Sequence, residues 1–205
     1  MKRKRRDRGP SKRSGPARGR QSGPASDRPT PRDDASPPGS DDDSHDSGTI
    51  GLRPLRDEDG WELVHPRCAR EREEDLEEVR HMLDAGETDV ARDECRWLLE
   101  GCRDCLEAHR ILGEIALVDE DLPLARGHFG YAYRLGAAAL ERAGGKVRLP
   151  YARPANRSFF ESAKGLVWCL KQLDKPEMAA EVAAQAVACD PEDPLQIAAL
   201  VADAG

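Results

Sequence analysis

From about Ala69 to the C-terminus, apolar residues recur at spacings of three and four, which is the period of an amphipathic helix. Glycine, proline and acidic residues interrupt this pattern and divide it into seven predicted helices in antiparallel-looking pairs. The stretch Trp61–Pro66 is apolar-rich, but nothing downstream is typical of a strand that could pair with it. The sequence therefore predicts an all-α fold, in which this stretch is an extended arm lying over the first helix.

The helical pairs resemble one another at equivalent positions. Gly86, Glu120 and Asp174 each stand five residues before an alanine, at positions 91, 125 and 179. Ala91 and Ala125 are 34 residues apart, which is the period of the tetratricopeptide (TPR) repeat. Further residues of the second and third pairs match the signature spacings of that repeat: Leu112-Gly113, Ala125, Phe129, Ala132 and Leu135, then Leu166, Ala179, Ala183, Ala186 and Pro191. The chain from about 70 to 192 therefore resembles a TPR array of three motifs. Because helical-repeat patterns are degenerate, the alternative is a generic helical bundle.

This resemblance implies a right-handed, TPR-like solenoid of helical hairpins within a domain that spans 59–205. Its segments are motifs at about 72–105, 106–139 and 160–193, an insert at about 140–158 and a C-terminal capping helix at 194–203. The chain departs from the family at the glycine position, where the first motif has Val79 and the third has Val167. Small residues such as Ala125 let paired helices approach closely, and larger ones such as Phe129 fill the gap to the neighbouring pair.

Three short motifs predict where helices begin. Ser158 and Glu161 have the spacing of a capping box, in which the two residues satisfy each other's free backbone donors. The run from Asp174 to Glu177 is predicted to open the next helix in the same way. Asp193, followed by proline, predicts the cap of the last short helix.

Residues 1–58 have a different composition from the rest of the chain. They are rich in proline, glycine and serine and poor in apolar residues, so we predict a disordered tail. The tail holds a basic block at 1–20 and an acidic block at 33–46. The basic block could bind nucleic acid through counterion release, or it could be a solubilising tail with no specific partner.

In the TPR family, the first helix of each motif lines the concave groove. Mapped onto this chain, the groove face is Glu73, Leu76, Glu77, Arg80, Glu107, Arg110, Ile111, Glu114, Lys164, Trp168, Lys171 and Gln172. The first two motifs then offer a mainly acidic wall and the third a cationic one. Trp168 is either half-exposed, as in many interfaces, or covered by Tyr151 or the neighbouring loop. Glu114 and Trp168 stand where some family members place the asparagines of a carboxylate clamp, so a chaperone-tail ligand is not supported.

Four residues have the types and short spacings of zinc ligands, namely His65, Cys68, Cys102 and Cys105. A single CxxC is a weak signal, and the alternative is that these and the other cysteines are buried or incidental thiols. Six cysteines in a chain of this length do not indicate a disulfide-rich secreted scaffold, so reduced thiols and a cytoplasmic location are expected.

Other features narrow the function. No apolar run is long enough for a membrane span, and the basic N-terminus does not lead into a secretory signal. No catalytic motif is present, and the helical histidines His81, His109 and His128 are predicted to be structural or solvated. We therefore expect no cofactor and no enzymatic activity. The leading hypothesis is a cytoplasmic adaptor that binds another protein or peptide in the groove. The alternatives are a nucleic-acid-associated protein that uses the basic tail, and a small zinc-stabilised helical protein.

Overall fold

A computed structural model describes residues 49–56, 58–145 and 147–202 of the chain. The basic block 1–20 and the acidic block 33–46 lie outside the described residues. Within them the chain is mostly helical, with two short strands and eight helices: β1 (Gly51–Pro54), β2 (Trp61–Val64), α1 (Arg67–Arg70), α2 (Glu73–Asp84), α3 (Thr88–Gly101), α4 (Leu106–Val118), α5 (Leu122–Arg142), α6 (Pro154–Gln172), α7 (Pro176–Cys189) and α8 (Ile197–Ala202). None of the described helices combines the length and the apolar character that crossing a membrane requires.

The described part of the chain is mostly helical, as predicted, and the two strands add a short element that the sequence did not predict. β1 and β2 form an antiparallel hairpin in which Gly51 pairs with Val64 and Pro54 with Trp61. The predicted tail 1–58 therefore extends too far, because β1 lies inside it. The prediction of an extended arm rested on the lack of a strand after β2. The partner strand β1 precedes β2 in the chain and ends in a proline.

The hairpin lies against α6 and α5, not over the first helix as predicted. Asn156 of α6 is fully buried and holds it there. Its Oδ1 accepts a hydrogen bond from the Leu63 N–H at 2.9 Å, and its Nδ2 donates to the carbonyls of Pro150 and Trp61. The side-chain amide therefore satisfies two backbone groups of β2, and the Trp61 N–H of the same strand donates to the Arg148 carbonyl at 2.8 Å.

The first helix of each predicted motif ends in the same turn. Gly86, Glu120 and Asp174 adopt positive φ angles of 79°, 61° and 55°. In each turn, the next N–H donates to a carbonyl five residues back, from Glu87 to Met82, from Asp121 to Ala116 and from Lys175 to Leu170. This is the Schellman pattern, which satisfies carbonyls at a helix end. The three positions that align in the sequence therefore share one backbone conformation.

Successive helices from α2 to α8 pack against one another, and α4 also contacts α6, as α6 contacts α8. Phe129 of α5 is 2% exposed and packs between two glycines of neighbouring helices. A Cβ atom added at Gly113 of α4, or at Gly165 of α6, would lie 2.7 Å from the Phe129 ring. Because both positions are glycine, α4 and α6 leave the space that the Phe129 ring fills.

The two predicted capping boxes are wrong, although α7 does begin within the predicted run, at Pro176. α6 begins at Pro154, so Ser158 and Glu161 lie inside the helix on one face and form no capping box. Asp174 belongs to the Schellman turn, and α7 begins without a side-chain cap. The third prediction is confirmed, because the Asp193 carboxylate accepts hydrogen bonds from the N–H groups of Ile197 and Ala198.

Candidate functional site

A concavity of about 680 Å³ lies where α2, α4 and α6 converge with the hairpin and α1. We call this concavity the central pocket. Its lining is Arg53, Glu62, Leu63, Val64, His65, Ala69, Arg70, Glu73, Leu76, Arg80, Cys105, Glu107, Arg110, Pro154, Ala155, Arg157, Ser158 and Glu161. The intervening helices α3 and α5 contribute no residue to this lining. Its volume is within the range of about 300–1,000 Å³ that is usual for ligand pockets.

An ion-pair network joins three helices at the pocket. Arg110 of α4 donates two hydrogen bonds to Glu107, from Nε at 2.9 Å and from Nη2 at 2.7 Å. Its Nη1 donates to Glu114 at 2.5 Å, and its Nε lies 3.2 Å from a Glu161 oxygen on α6. Arg80 of α2 lies 3.2 Å from Glu107 and so links the third helix to the network.

Glu107 is the centre of this network. Its side chain is 14% exposed and accepts hydrogen bonds from Arg110 and Arg80, and from Ser158 Oγ at 2.7 Å. Burial by itself raises the pKa of Glu107, but Arg110, Ser158 and Arg80 more than offset this and lower the pKa to about 2. The pKa of Arg110 is raised, because the surrounding carboxylates outweigh its burial. Both groups therefore remain charged at neutral pH.

The structure brings together part of the predicted groove face. Glu73, Leu76, Arg80, Glu107 and Arg110 line the central pocket, as expected for the first helices of motifs one and two. Glu77 is exposed but does not line it, and Glu114 lies beyond it as a partner of Arg110. Ile111 is fully buried, so it belongs to the core and not to the groove.

The predicted groove residues of the third motif lie elsewhere. Lys171 Nζ donates to the Leu200 carbonyl and borders a separate cleft with α7. Neither Lys164 nor Trp168 lines the central pocket. Trp168 is 40% exposed, and Tyr151 contacts Phe160 edge-on instead of covering it.

The α6 wall comes from the preceding turns of the helix, at Arg157, Ser158 and Glu161. The sequence interpretation missed Arg157 and Ser158 because it began the third motif at 160, and it missed Glu161 because it placed the groove face of that motif from Lys164 onward. The i,i+3 spacing of Ser158 and Glu161 was the available signal, since it also places the two side chains on one helix face.

The expectation of reduced thiols is wrong for two of the six cysteines. Cys68 and Cys102 form a disulfide with their Cα atoms 5.5 Å apart, which joins α1 to the end of α3. The other four are free and buried, as expected: Cys95, Cys105, Cys169 and Cys189. The cytoplasmic location stays a prediction, and the disulfide does not support it, because structural disulfides are typical of oxidising compartments.

The disulfide also removes two of the four predicted zinc ligands, because a disulfide sulfur is not a thiolate. Cys105 is a free, buried thiol whose pKa is raised by burial, and His65 bonds to the Ala155 carbonyl at 2.8 Å. Among the residues that the structure describes, no group of three or more His, Cys, Asp or Glu side chains is arranged to hold a metal ion.

Two histidines contact each other between α4 and α5. Their Nδ1 atoms, in His109 of α4 and His128 of α5, are 3.2 Å apart, and His109 Nε2 lies 3.1 Å from the Arg103 carbonyl. A neutral His109 therefore donates from Nε2 and accepts at Nδ1. Burial lowers the pKa of His109 to about 4, so the ring is neutral at physiological pH.

No protein-family model, curated protein or solved structure matches this chain.

Proposed function

We propose that this chain is a non-enzymatic protein-binding module of the TPR-like helical-hairpin type, which holds a segment of a partner polypeptide in the central pocket. One observation carries the proposal. The alternate helices α2, α4 and α6 line a single concavity, whereas α3 and α5 do not contribute to it. A stack of helical hairpins offers such a concave surface, because the first helices of its units lie side by side.

The shared turns support the assignment to this architecture. Positive φ angles at 86, 120 and 174 end the first helix of each unit in the same way. The alanine five residues further on is fully buried in all three units, at Ala91, Ala125 and Ala179. The same turn, followed five residues later by a buried alanine, occurs at three equivalent positions, which is expected of a repeated two-helix unit.

The chemistry of the pocket supports binding and not catalysis. Glu107 accepts hydrogen bonds from two arginines and a serine, and Arg110 is bonded to carboxylates on two helices. A general acid or base needs a pKa near the working pH, whereas Glu107 has a pKa of about 2. The network therefore fixes the relative positions of α2, α4 and α6 and shapes the pocket.

Site-specific photocrosslinking in the native cell tests the proposal. A photoreactive phenylalanine analogue is placed at Glu73, an exposed α2 position on the pocket wall, and in a matched variant at Glu78, an exposed position of the same helix outside the pocket. We expect discrete protein adducts from position 73 that are absent from position 78. Equal thermal unfolding of both variants would show that they are folded. Adducts that form equally at both positions, or at neither, would refute the proposal.

A further inference from the structure

The central pocket has an excess of positive charge on a chain that is negative overall. Five arginines line it against four glutamates, whereas the whole chain has a formal net charge of −7. All of the lining cations are arginine, the side chain whose planar fork of donors matches a carboxylate. The pocket therefore differs from the chain as a whole in the sign of its net charge.

Most of these charges are already paired. Arg110 and Arg80 share Glu107, and Arg110 also reaches Glu161 at 3.2 Å. On the hairpin, Arg53 pairs with Glu62, with Nε 3.1 Å from the carboxylate. Because each lining carboxylate faces an arginine of the same chain, none is left for a cationic ligand to neutralise.

Two arginines are different. Arg70 of α1 and Arg157 of α6 are exposed, line the pocket and form no ion pair with any carboxylate in the described part of the chain. The guanidinium of Arg157 lies 5.9 Å from the Tyr151 ring, which is an apolar support and not an acceptor of its donors. Each guanidinium therefore presents free N–H donors at the pocket, and they come from different walls.

We propose, building on the function proposed above, that the bound segment is acidic and places aspartate or glutamate carboxylates on Arg70 and Arg157. Arginine–carboxylate pairs are often bidentate and are among the strongest hydrogen-bonded contacts in proteins. A basic segment meets two unpaired guanidinium groups and carboxylates that are already engaged, so it is repelled. The two arginines thus select the charge of the partner, while the network beneath them sets the shape of the pocket.

A peptide selection tests this inference. Random decapeptides displayed on phage are selected against the purified full-length chain, and binding of the enriched peptides is measured by fluorescence polarisation at two salt concentrations. We expect enrichment of Asp and Glu, and affinity that falls as salt rises. Each of the substitutions Arg70→Ala and Arg157→Ala weakens binding about tenfold, which is the loss of one charge-assisted contact.

Charge reversal gives the sharper result. The variant R70E/R157E is expected to select peptides rich in Lys and Arg instead of acidic ones. The matched control R103E/R134E makes the same change in net charge at exposed positions outside the pocket, and it is expected to select the same acidic peptides as the wild type. All four positions are exposed, so both variants are expected to unfold at the wild-type temperature.

The remaining outcomes separate the two proposals. Peptides that crosslink to position 73 but show no acidic preference would overturn the charge inference and leave the binding module intact. Complete failure to select pocket-binding peptides would overturn both. If acidic peptides bind only after the aspartates of 41–46 are replaced by asparagine, the occupant is the chain's own acidic run, and the proposal of a partner segment is wrong.

Discussion

Substituting Gly113 with alanine is a direct test of how the helices pack. A Cβ atom there would lie 2.7 Å from a ring carbon of Phe129, a distance that real Cβ contacts essentially never show. Overpacking of this kind costs about 1–3 kcal/mol of unfolding free energy. Alanine also gains about 1 kcal/mol over glycine within a helix. The net expectation for Gly113→Ala is a loss of about 0–2 kcal/mol.

The chain offers a matched control in Gly127. It lies within α5, is exposed, and has no atom within 4 Å of its added Cβ. Gly127→Ala therefore gains the helix preference without the collision and should stabilise the protein by about 1 kcal/mol. The difference between the two variants, about 1–3 kcal/mol, isolates the steric cost of the contact with Phe129.

The assay is urea unfolding followed by circular dichroism, with the free energy extrapolated to water at an unchanged m value. The Gly113→Ala substitution is also measured in a Phe129→Leu variant, which lacks the ring atoms that the new Cβ would meet. In that background, Gly113→Ala should cost at least about 1 kcal/mol less than in the wild type, which a double-mutant cycle measures. If Gly113→Ala is as stabilising as Gly127→Ala, then Phe129 does not pack between α4 and α6 as described.

Three further predictions concern a turn and two buried titratable groups. Glu120→Gly should stabilise the protein by about 0.5–1 kcal/mol, since a residue with φ of 61° favours glycine. Glu87→Gly, at a φ of −84°, should bring no gain in the same urea assay. Because the pKa of Glu107 falls from 4.5 to about 2 on folding, its contribution of about 3 kcal/mol is present above pH 4.5 and lost as the pH falls towards 2. Glu107→Gln should abolish that part of the acid dependence, and exposed Glu78→Gln should leave it unchanged; equal acid profiles would contradict the network. Because burial lowers the pKa of His109 from 6.5 to about 4, stability should fall by about 3 kcal/mol between those pH values as the unfolded chain takes up a proton. Unfolding of His109→Gln at pH 4.5 and 7.5 should lack that decrease, and a decrease of wild-type size would refute the assignment.

The main helices were predictable because their signal is local. The apolar stripe that contains Leu76 and Val79 predicts α2, and both of these side chains are buried. Gly86 predicts the end of α2, and its backbone is left-handed there. The alignment of Gly86 with Glu120 and Asp174 also came from sequence alone. Only the backbone showed that the two acidic residues adopt the same positive φ, which their side chains disfavour.

The candidate site was predictable only in part, because it depends on how distant segments meet. The resemblance to the TPR repeat predicted Arg80, Glu107 and Arg110 as groove residues, and they line the central pocket. The start of α6 was predicted too late, since proline at 154 was interpreted as a loop residue although it opens the helix. That error moved the expected third wall along α6 to Trp168 and away from Arg157.

The amino-acid sequence by itself determined the helical period and the apolar faces of the helices, since each depends on residues within a few turns of one another. Tertiary structure decided the pairing of β1 with β2 and the disulfide between Cys68 and Cys102. It also decided that Arg70 and Arg157 form no ion pair with the carboxylates that the structure describes. Pairing between residues far apart in sequence depends on the packing of everything between them, and no local pattern encodes it. The charge of the central pocket follows from that packing, because the same residues pair or remain free according to which helices they meet.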